Sequence, residues 1–243
     1  MARRKRADVL LVERGLFESR TRAQAAIAAG LVTADGMPLR KASDELAADA
    51  ALEARPDHPW VSRGGLKLAA ALDHFGFDPA GRVCLDVGAS TGGFSEVLLA
   101  RGARCVYAVD VGRGQLHARL RGNPAVVSLE ETDIRVLDLG RFAEPPDFAT
   151  IDVSFISLKL ILPALDRLTR RPAQLIALIK PQFEAGRKHL KKGIVRDPEI
   201  HAAVCDEISS LAVSLGWTDT GIIPSPIEGG NGNREFLLGA RRG

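Results

Sequence analysis

The feature that most constrains the fold is an alternation of short apolar runs with amphipathic segments, which begins near Val61 and continues to the end of the chain. The amphipathic segments predict helices that begin near Gly93 and Gln115, and further helices over LKLILPALDRL and residues 198–215. The apolar runs predict strands over RVCLDV, CVYAVD, AVVSLE, FATIDVSF, QLIALIKP, TDTGIIPS and REFLLGAR. Such alternation is typical of an open α/β sheet, largely parallel, with helices on both faces.

The first 55 residues have a different pattern, with many alanines and arginines. Two short helical patterns come first, and LVTADGMPL then predicts a hairpin that turns at its Asp-Gly pair. Two prolines in RPDHPW are typical of a linker. We therefore predict a small α+β domain over residues 1–55, a linker over 56–62 and the α/β domain over 63–243.

Composition excludes several classes of protein. No apolar run approaches the roughly 18 residues that a membrane-spanning helix needs. The basic N-terminal segment is interrupted by Glu13 and Arg14, so it does not predict a secretory signal. The three cysteines, Cys84, Cys105 and Cys205, fit neither a disulfide framework nor the spacing of metal ligands. We expect a cytoplasmic protein with no stable membrane association and no metal site.

A glycine-rich turn follows the first strand of the α/β domain, in the stretch DVGASTGGF from Asp86 to Phe94. A phosphate-binding P-loop needs a lysine after its last glycine, and none is present. A dinucleotide fingerprint needs a glycine where Ser90 stands. S-adenosylmethionine fits better, because backbone N–H groups of the turn can face its carboxylate and Asp86 its ammonium. The predicted cofactor residues here are Asp86, Gly88, Ala89, Ser90, Thr91, Gly92, Gly93 and Phe94.

Two further aspartates are predicted to lie at strand ends. Asp110 ends YAVD and is placed to accept hydrogen bonds from both ribose hydroxyls of an adenosine cofactor. Asp133, in ETDIR, is interpreted as ending the next strand, where it could address the adenine amino group. Each aspartate alone is more often a turn or cap residue, but their order along the chain favours the cofactor.

Charged residues are also expected at the ends of the fourth and fifth strands. Asp152 ends the fourth, and Lys180 ends the fifth, an apolar strand on which an unpaired lysine is unusual. A surface lysine after a strand is the alternative. Near a bound methyl donor, Lys180 could take a proton from the acceptor or stabilise an oxyanion.

Five motifs, SRGGLKL, LDVGASTGGF, IDVSFISLK, KPQFEAG and NREFLL, resemble those of the TlyA family over nearly the whole chain. This family carries the traditional name of hemolysins and acts as ribosomal RNA 2′-O-methyltransferases. The resemblance implies a Rossmann-like methyltransferase domain similar to the FtsJ/RrmJ class, preceded by a small RNA-binding domain like that of a small-subunit ribosomal protein. It also implies a catalytic Lys-Asp-Lys-Glu tetrad at Lys67, Asp152, Lys180 and Glu235, and ribosomal RNA or ribosomal subunits as partners.

Two basic segments are predicted to contact RNA phosphates, although solvated charges are a real alternative for both. The N-terminal segment contributes Arg3, Arg4, Lys5, Arg6, Arg14, Arg20 and Arg22. The segment GRKHLKKGIVRDP contributes Arg187, Lys188, Lys191 and Lys192.

The resulting prediction is S-adenosylmethionine-dependent 2′-O-methylation of ribosomal RNA, with a cytidine as the target implied by the resemblance. Two alternatives remain: a membrane-acting hemolysin, and an RNA-binding module without catalysis. Liposome leakage would support the first, and failure to bind S-adenosylmethionine would support the second.

Overall fold

The computed structural model describes residues 4–17, 19–55 and 58–243. The chain divides into two compact units, Met1–Pro59 and Trp60–Gly243. Of the predicted linker, positions 56 and 57 lie outside the described residues, while Trp60 and Val61 belong to the second unit. The reason is local packing, since Trp60 contacts the hydrophobic core of that unit and the Val61 N–H donates to a carboxylate oxygen of Glu96 at 2.5 Å.

The first unit is a small α+β structure. Its described residues form β1 (Arg4–Arg6), α1 (Ala7–Glu13), α2 (Arg20–Ala28), β2 (Val32–Ala34), β3 (Met37–Pro38), β4 (Glu45–Ala47) and β5 (Leu52–Ala54). Ser19 caps α2 by accepting a hydrogen bond from the Arg22 N–H. The expected hairpin forms between β2 and β3, β2 also pairs with β5, and β1 pairs with β4.

The second unit contains the alternating elements. Its strands are β6 (Val83–Val87), β7 (Cys105–Val109), β8 (Val126–Leu129), β9 (Phe148–Ile151), β10 (Ala173–Ile179), β11 (Thr218–Pro224) and β12 (Phe236–Arg242). Its helices are α3 (Gly64–Phe75), α4 (Gly93–Ala100), α5 (Ala118–Arg121), α6 (Leu158–Leu168), α7 (Pro181–Glu184) and α8 (Pro198–Ser214). The predicted α/β class is confirmed.

The described strands of the second unit form one sheet in the order β11-β12-β10-β9-β6-β7-β8. The five strands from β10 to β8 are parallel, and β12 is antiparallel to both β10 and β11. One hydrophobic cluster includes residues of α6 and α8, and another includes residues of α3 and α4. Because the parallel strands share a direction, the residues that follow β6, β7, β9 and β10 meet at one edge of the sheet, where ligands of such folds bind.

The helix predicted near Gln115 differs from the sequence prediction, because α5 begins only at Ala118. The Glu130 carboxylate accepts hydrogen bonds from the backbone N–H groups of Gly114, Gln115 and Leu116 at 2.7 to 3.1 Å. These bonds keep the segment in a loop and lower the pKa of Glu130. None of the helices formed by the described residues combines the length and the apolar character needed to cross a bilayer.

Candidate active site

Four charged side chains that the sequence singled out lie on one cavity as two ion pairs. The Lys180 Nζ lies 2.6 Å from a carboxylate oxygen of Asp152, and the Lys67 Nζ lies 2.6 Å from a carboxylate oxygen of Glu235. Lys67, Lys180 and Glu235 are all buried. Buried charges of this kind are retained in proteins when they are paired, and they often mark a functional site.

The fold explains how these residues meet. Asp152 and Lys180 directly follow the adjacent parallel strands β9 and β10. Lys67 lies in the first turn of α3, on the side that packs into the core. Glu235 directly precedes β12, which lies between β10 and β11 and is not an edge strand. Lys67 and Glu235 are therefore buried charges and not ordinary surface charges.

The cavity beside the tetrad has a volume of about 420 Å³. Besides the four charged residues, its lining includes Ser154, Phe155, Phe183, Leu190 and Asn233. Such a cavity is large enough for one nucleoside-sized group, and both ion pairs contribute to its lining.

The absence of a side chain at Gly229 leaves the space that the Glu235 carboxylate occupies. A Cβ added at Gly229 would lie 2.0 Å from one Glu235 carboxylate oxygen and 3.1 Å from the other, so the backbone of this segment packs directly on the carboxylate. The φ of Gly229 is −73°, which any residue can adopt, so glycine is needed here for space. Sequence inspection did not select this residue.

The glycine-rich turn lies against the same site. Gly88 has a φ of +82°, and a Cβ there would lie 2.4 Å from the backbone oxygen of Asp152. Gly88 is therefore required both for its backbone conformation and for close packing on the residue that holds Lys180. The residues Ala89, Ser90, Thr91 and Gly92 complete the turn, and Gly93 begins α4. Phe94 is 3% exposed, and its side chain packs in the hydrophobic core, which anchors the end of the turn.

Asp86 lies within β6, inside the predicted strand RVCLDV, but its side chain is fully buried. The carboxylate accepts hydrogen bonds from the hydroxyls of Ser95 at 2.6 Å and Thr150 at 3.0 Å. Burial raises the pKa of Asp86 to about 6. This geometry gives Asp86 a supporting position beneath the turn, while contact with a cofactor ammonium group stays a prediction.

Substituting Asp86→Asn is expected to stabilise the protein at neutral pH. A carboxyl group whose pKa rises from 3.8 to about 6 on folding contributes stability below pH 3.8 that is lost as the pH rises through about 6. Asparagine does not ionise, so its stability advantage should be about 1 kcal/mol larger near pH ~7.5 than near pH ~5. Urea unfolding followed by the fluorescence of Trp60 and Trp217 measures this difference; an equal advantage at both pH values would contradict it.

Asp110 lies where the sequence predicted, directly after β7. Its carboxylate accepts hydrogen bonds from the backbone N–H of Ser90 at 2.8 Å and of Gly112 at 2.7 Å. The carboxylate is thus fixed beside the glycine turn and retains free lone pairs for hydroxyl donors.

Asp133 is placed differently from the prediction that it ends a strand. Strand β8 ends at Leu129, and Asp133 lies in the loop that follows. Its side chain forms an ion pair with Arg135 at 2.6 Å, and the hydrogen bonds from Arg135 lower its pKa. The charge of Asp133 is thus already paired with Arg135. Contact of Asp133 with an adenine amino group stays a prediction.

Five of the seven N-terminal basic residues predicted to contact RNA bind other groups of the first unit. Asp8 is fully buried, and hydrogen bonds from Arg6 hold its pKa well below the usual range. The contacts are Arg4 to the Glu45 carbonyl at 3.2 Å, Lys5 to Glu13 at 2.5 Å, Arg6 and Arg20 to Asp8 at 3.0 and 2.9 Å, and Arg14 to the Ala48 carbonyl at 2.5 Å. Arg22 is exposed in α2, and Arg3 lies outside the described residues. Arg6 and Arg20 therefore neutralise the buried Asp8, a role that the sequence did not indicate.

The basic loop between α7 and α8 lies at the mouth of the cavity. Its residues Leu190 and Gly193 line the cavity, and the Asn233 side-chain amide donates to the Gly193 carbonyl at 3.2 Å. The four predicted RNA-binding cations of this loop are exposed, and none forms an ion pair within the described part of the chain: Arg187, Lys188, Lys191 and Lys192. This loop therefore presents four exposed cations without an ion-pair partner among the described residues.

An exposed aromatic residue at the cavity was missed by sequence reasoning. Phe155 is 91% exposed and has a φ of +65°, which is uncommon for a bulky side chain. Its ring lies 5.1 Å from that of Phe183, between centroids, and both residues line the cavity. The only available signal was the position of Phe155 shortly after Asp152, because exposure cannot be read from the motif.

The chain is similar in sequence and in fold to known proteins. The family model for FtsJ-like methyltransferases matches residues 60–242. The 16S/23S rRNA (cytidine-2'-O)-methyltransferase TlyA of Mycobacterium tuberculosis (strain ATCC 25618 / H37Rv) is 46% identical over 244 residues, covering 99% of this chain and 91% of that protein. Hemolysin A of Brachyspira hyodysenteriae is 37% identical over 234 residues, covering 96% of this chain and 98% of that protein. A solved structure from Streptococcus thermophilus is 43% identical with a TM-score of 0.78, covering 100% of this chain and 90% of that chain.

Proposed function

Because this chain belongs to the TlyA family of FtsJ-like, S-adenosylmethionine-dependent methyltransferases, we propose that it methylates a ribose 2′-hydroxyl of ribosomal RNA, at a cytidine, in the cytoplasm. The observation that carries this proposal is the pairing of Lys180 with Asp152 on a nucleoside-sized cavity, directly beside the glycine turn. The cytidine and the ribosomal RNA come from the name of the Mycobacterium tuberculosis relative.

The residues at the sheet edge fit the methyl donor. In the turn from Gly88 to Gly93, four backbone N–H groups already donate within the protein, which leaves those of Thr91 and Gly93 for the carboxylate of the methyl donor. Asp110 supplies a carboxylate for ribose hydroxyls. S-adenosylmethionine, when bound there, would supply the methyl group for a ribose 2′-oxygen, whose hydroxyl must lose its proton. Lys180 is the group in place to accept that proton or to stabilise the developing negative charge.

The second ion pair is assigned a supporting role in the reaction. Lys67 brings a second positive charge to the cavity, and Glu235 holds it in place at 2.6 Å. Two cations on one cavity favour the negative charge that develops on an acceptor oxygen as its proton is lost. The four side chains therefore act mainly by positioning and by electrostatics, which account for much of the acceleration in group-transfer enzymes.

The aromatic pair is assigned to the base of the target nucleotide. Bases taken out of a stack are commonly held between aromatic side chains, and stacking of this kind contributes about 1–3 kcal/mol per base. Phe155 offers an open ring face at the rim of the cavity that holds Lys180. The loop cations Arg187, Lys188, Lys191 and Lys192 are assigned to the flanking phosphates.

Substituting Phe155→Ala is expected to weaken the use of RNA while leaving cofactor binding unchanged. Loss of stacking should lower kcat/KM for RNA by about 10-fold to 100-fold, whereas Phe155→Trp should retain most of the activity. Methyl incorporation at varied RNA concentrations measures this effect. Val213→Ala is a matched control, since it removes an exposed apolar side chain on α8 that does not line the cavity. Equal kcat/KM in the Phe155→Ala and Val213→Ala variants would contradict the assignment.

The first unit is assigned to RNA binding as well, as the family's small ribosomal-protein-like domain. Its described residues carry an exposed basic surface that includes Arg4 and Arg22. Contacts of this type hold the enzyme on its substrate without reading the base.

Transfer of a labelled methyl group tests the proposed function. The full chain is incubated with radiolabelled S-adenosylmethionine and ribosomal subunits from cells that lack the enzyme, and the modified position is mapped by its resistance to alkaline cleavage. Label on a ribose 2′-oxygen supports the proposal. Absence of cofactor binding, even with RNA present, would support the non-catalytic alternative, and leakage of liposomes at the same protein concentration would support a membrane activity.

A further inference from the structure

We propose that Ser154 is a positioning residue for Lys180. Its hydroxyl holds the Lys180 amine in the orientation in which the amine faces the acceptor hydroxyl. The inference rests on the proposed function and adds a residue outside the Lys-Asp-Lys-Glu tetrad. The Lys180 Nζ donates to the Ser154 hydroxyl oxygen at 2.9 Å, in addition to its ion pair with Asp152 at 2.6 Å.

The role of Ser154 follows from the number of hydrogen bonds that the Lys180 amine can donate. A protonated lysine has three N–H donors. Within the described residues, Asp152 takes one and Ser154 takes a second. The third position is left for a ligand in the cavity that Lys180 lines. The two acceptors thus define a single remaining direction.

The same two contacts orient the amine when it acts as a base. A neutral amine has two hydrogens and one lone pair, so it can serve both Asp152 and Ser154 and still turn its lone pair toward the third position. With only Asp152 as an acceptor, the amine could rotate about its Cε–Nζ bond, and the lone pair would point at the acceptor hydroxyl for a smaller fraction of the time. Misorientation of this kind lowers the rate of a proton transfer without weakening substrate binding.

Ser154 is suited to this task by its surroundings. It lies two residues after Asp152, and both Ser154 and the following Phe155 are exposed. Its hydroxyl is hydrogen-bonded to Lys180, and we find no other partner for it in the part of the chain that the structure describes. Removing the hydroxyl therefore changes the surroundings of Lys180 while leaving the core of the unit intact.

The test compares Ser154→Ala with Ser154→Thr in the full chain, using ribosomal subunits as the substrate. Ser154→Ala should lower kcat by roughly 10-fold to 100-fold, with little change in KM for RNA or in cofactor affinity. It should also change the pH dependence of kcat, because the amine has lost a hydrogen-bond partner. Ser154→Thr retains a hydroxyl at the same position and should restore both kcat and the pH profile. Ser209→Ala, which removes a serine hydroxyl on α8 away from the cavity, controls for loss of a serine as such.

The outcomes separate this proposal from the proposed function. If Ser154→Ala keeps the wild-type kcat and pH profile, or if Ser154→Thr is as impaired as Ser154→Ala, Ser154 does not position Lys180. In both cases wild-type transfer to RNA leaves the proposed function standing. If the wild-type protein transfers no methyl group to ribosomal RNA, the proposed function itself fails, and the Ser154 proposal fails with it.

Discussion

Replacing Lys180 by alanine is expected to reduce methyl transfer at saturating RNA and cofactor by roughly 10³-fold. The side chain lies on the cavity, 2.6 Å from Asp152 and 2.9 Å from Ser154, and is the group in place to receive the proton of the acceptor hydroxyl. Because the loss falls on the chemical step, kcat should fall while KM for RNA changes little. Radiolabelled methyl incorporation under single-turnover conditions measures the chemical step directly.

The control for this prediction is a second lysine in an ion pair. Lys159 lies on α6 and pairs with Glu207 at 2.6 Å, with both side chains more than one third exposed. Lys159→Ala should therefore leave the rate of transfer unchanged, as is usual for a surface ion pair. Cofactor affinity by calorimetry should be similar in both variants. Normal methyl incorporation by Lys180→Ala would remove this residue from the mechanism.

Replacing Glu235 by alanine is expected to damage both stability and activity. The substitution leaves Lys67 buried, with a side chain that is 10% exposed, and without its partner at 2.6 Å. Breaking a buried ion pair by removing one partner costs about 3–5 kcal/mol, and we expect about 3 kcal/mol because the cavity gives Lys67 some access to water. Urea unfolding measures the loss of stability, and methyl incorporation measures the loss of activity.

A double variant separates these two effects. Lys67→Met combined with Glu235→Gln leaves no unpaired charge in the site, so most of the lost stability should return. Activity should stay low, because the second cation of the cavity is absent. Recovery of activity together with stability would show that the pair has a structural role only.

The sequence was informative about placement wherever a charged residue directly follows an apolar strand. The sequence predicted charged residues at the ends of three apolar runs. In the structure Asp110 directly follows β7, Asp152 follows β9 and Lys180 follows β10. Asp133 was misplaced because the strand period does not define where a short strand such as β8 ends. The helix expected near Gln115 was wrong at its start, because the long-range contact with Glu130 holds that segment as a loop.

Other parts of the site depended on contacts between distant positions. Ser154, Phe155 and Gly229 carry no periodic signal, and their importance becomes visible only through the Lys180 hydrogen bond, the exposed ring and the packing on Glu235. The N-terminal arginines show the opposite case, because Arg6 and Arg20 read as free charge in the sequence but bind the buried Asp8.

By itself the sequence determined the α/β class, the glycine turn and the chemical character of the residues at the sheet edge, because strand periodicity and glycine requirements are local properties of the chain. Only the tertiary structure decided which charges are paired. Lys67 and Glu235 are 168 positions apart, and they meet because α3 packs beside the strand that Glu235 precedes. Partner choice, burial and cavity shape are set by such non-local packing, and these are the properties on which the proposed chemistry depends.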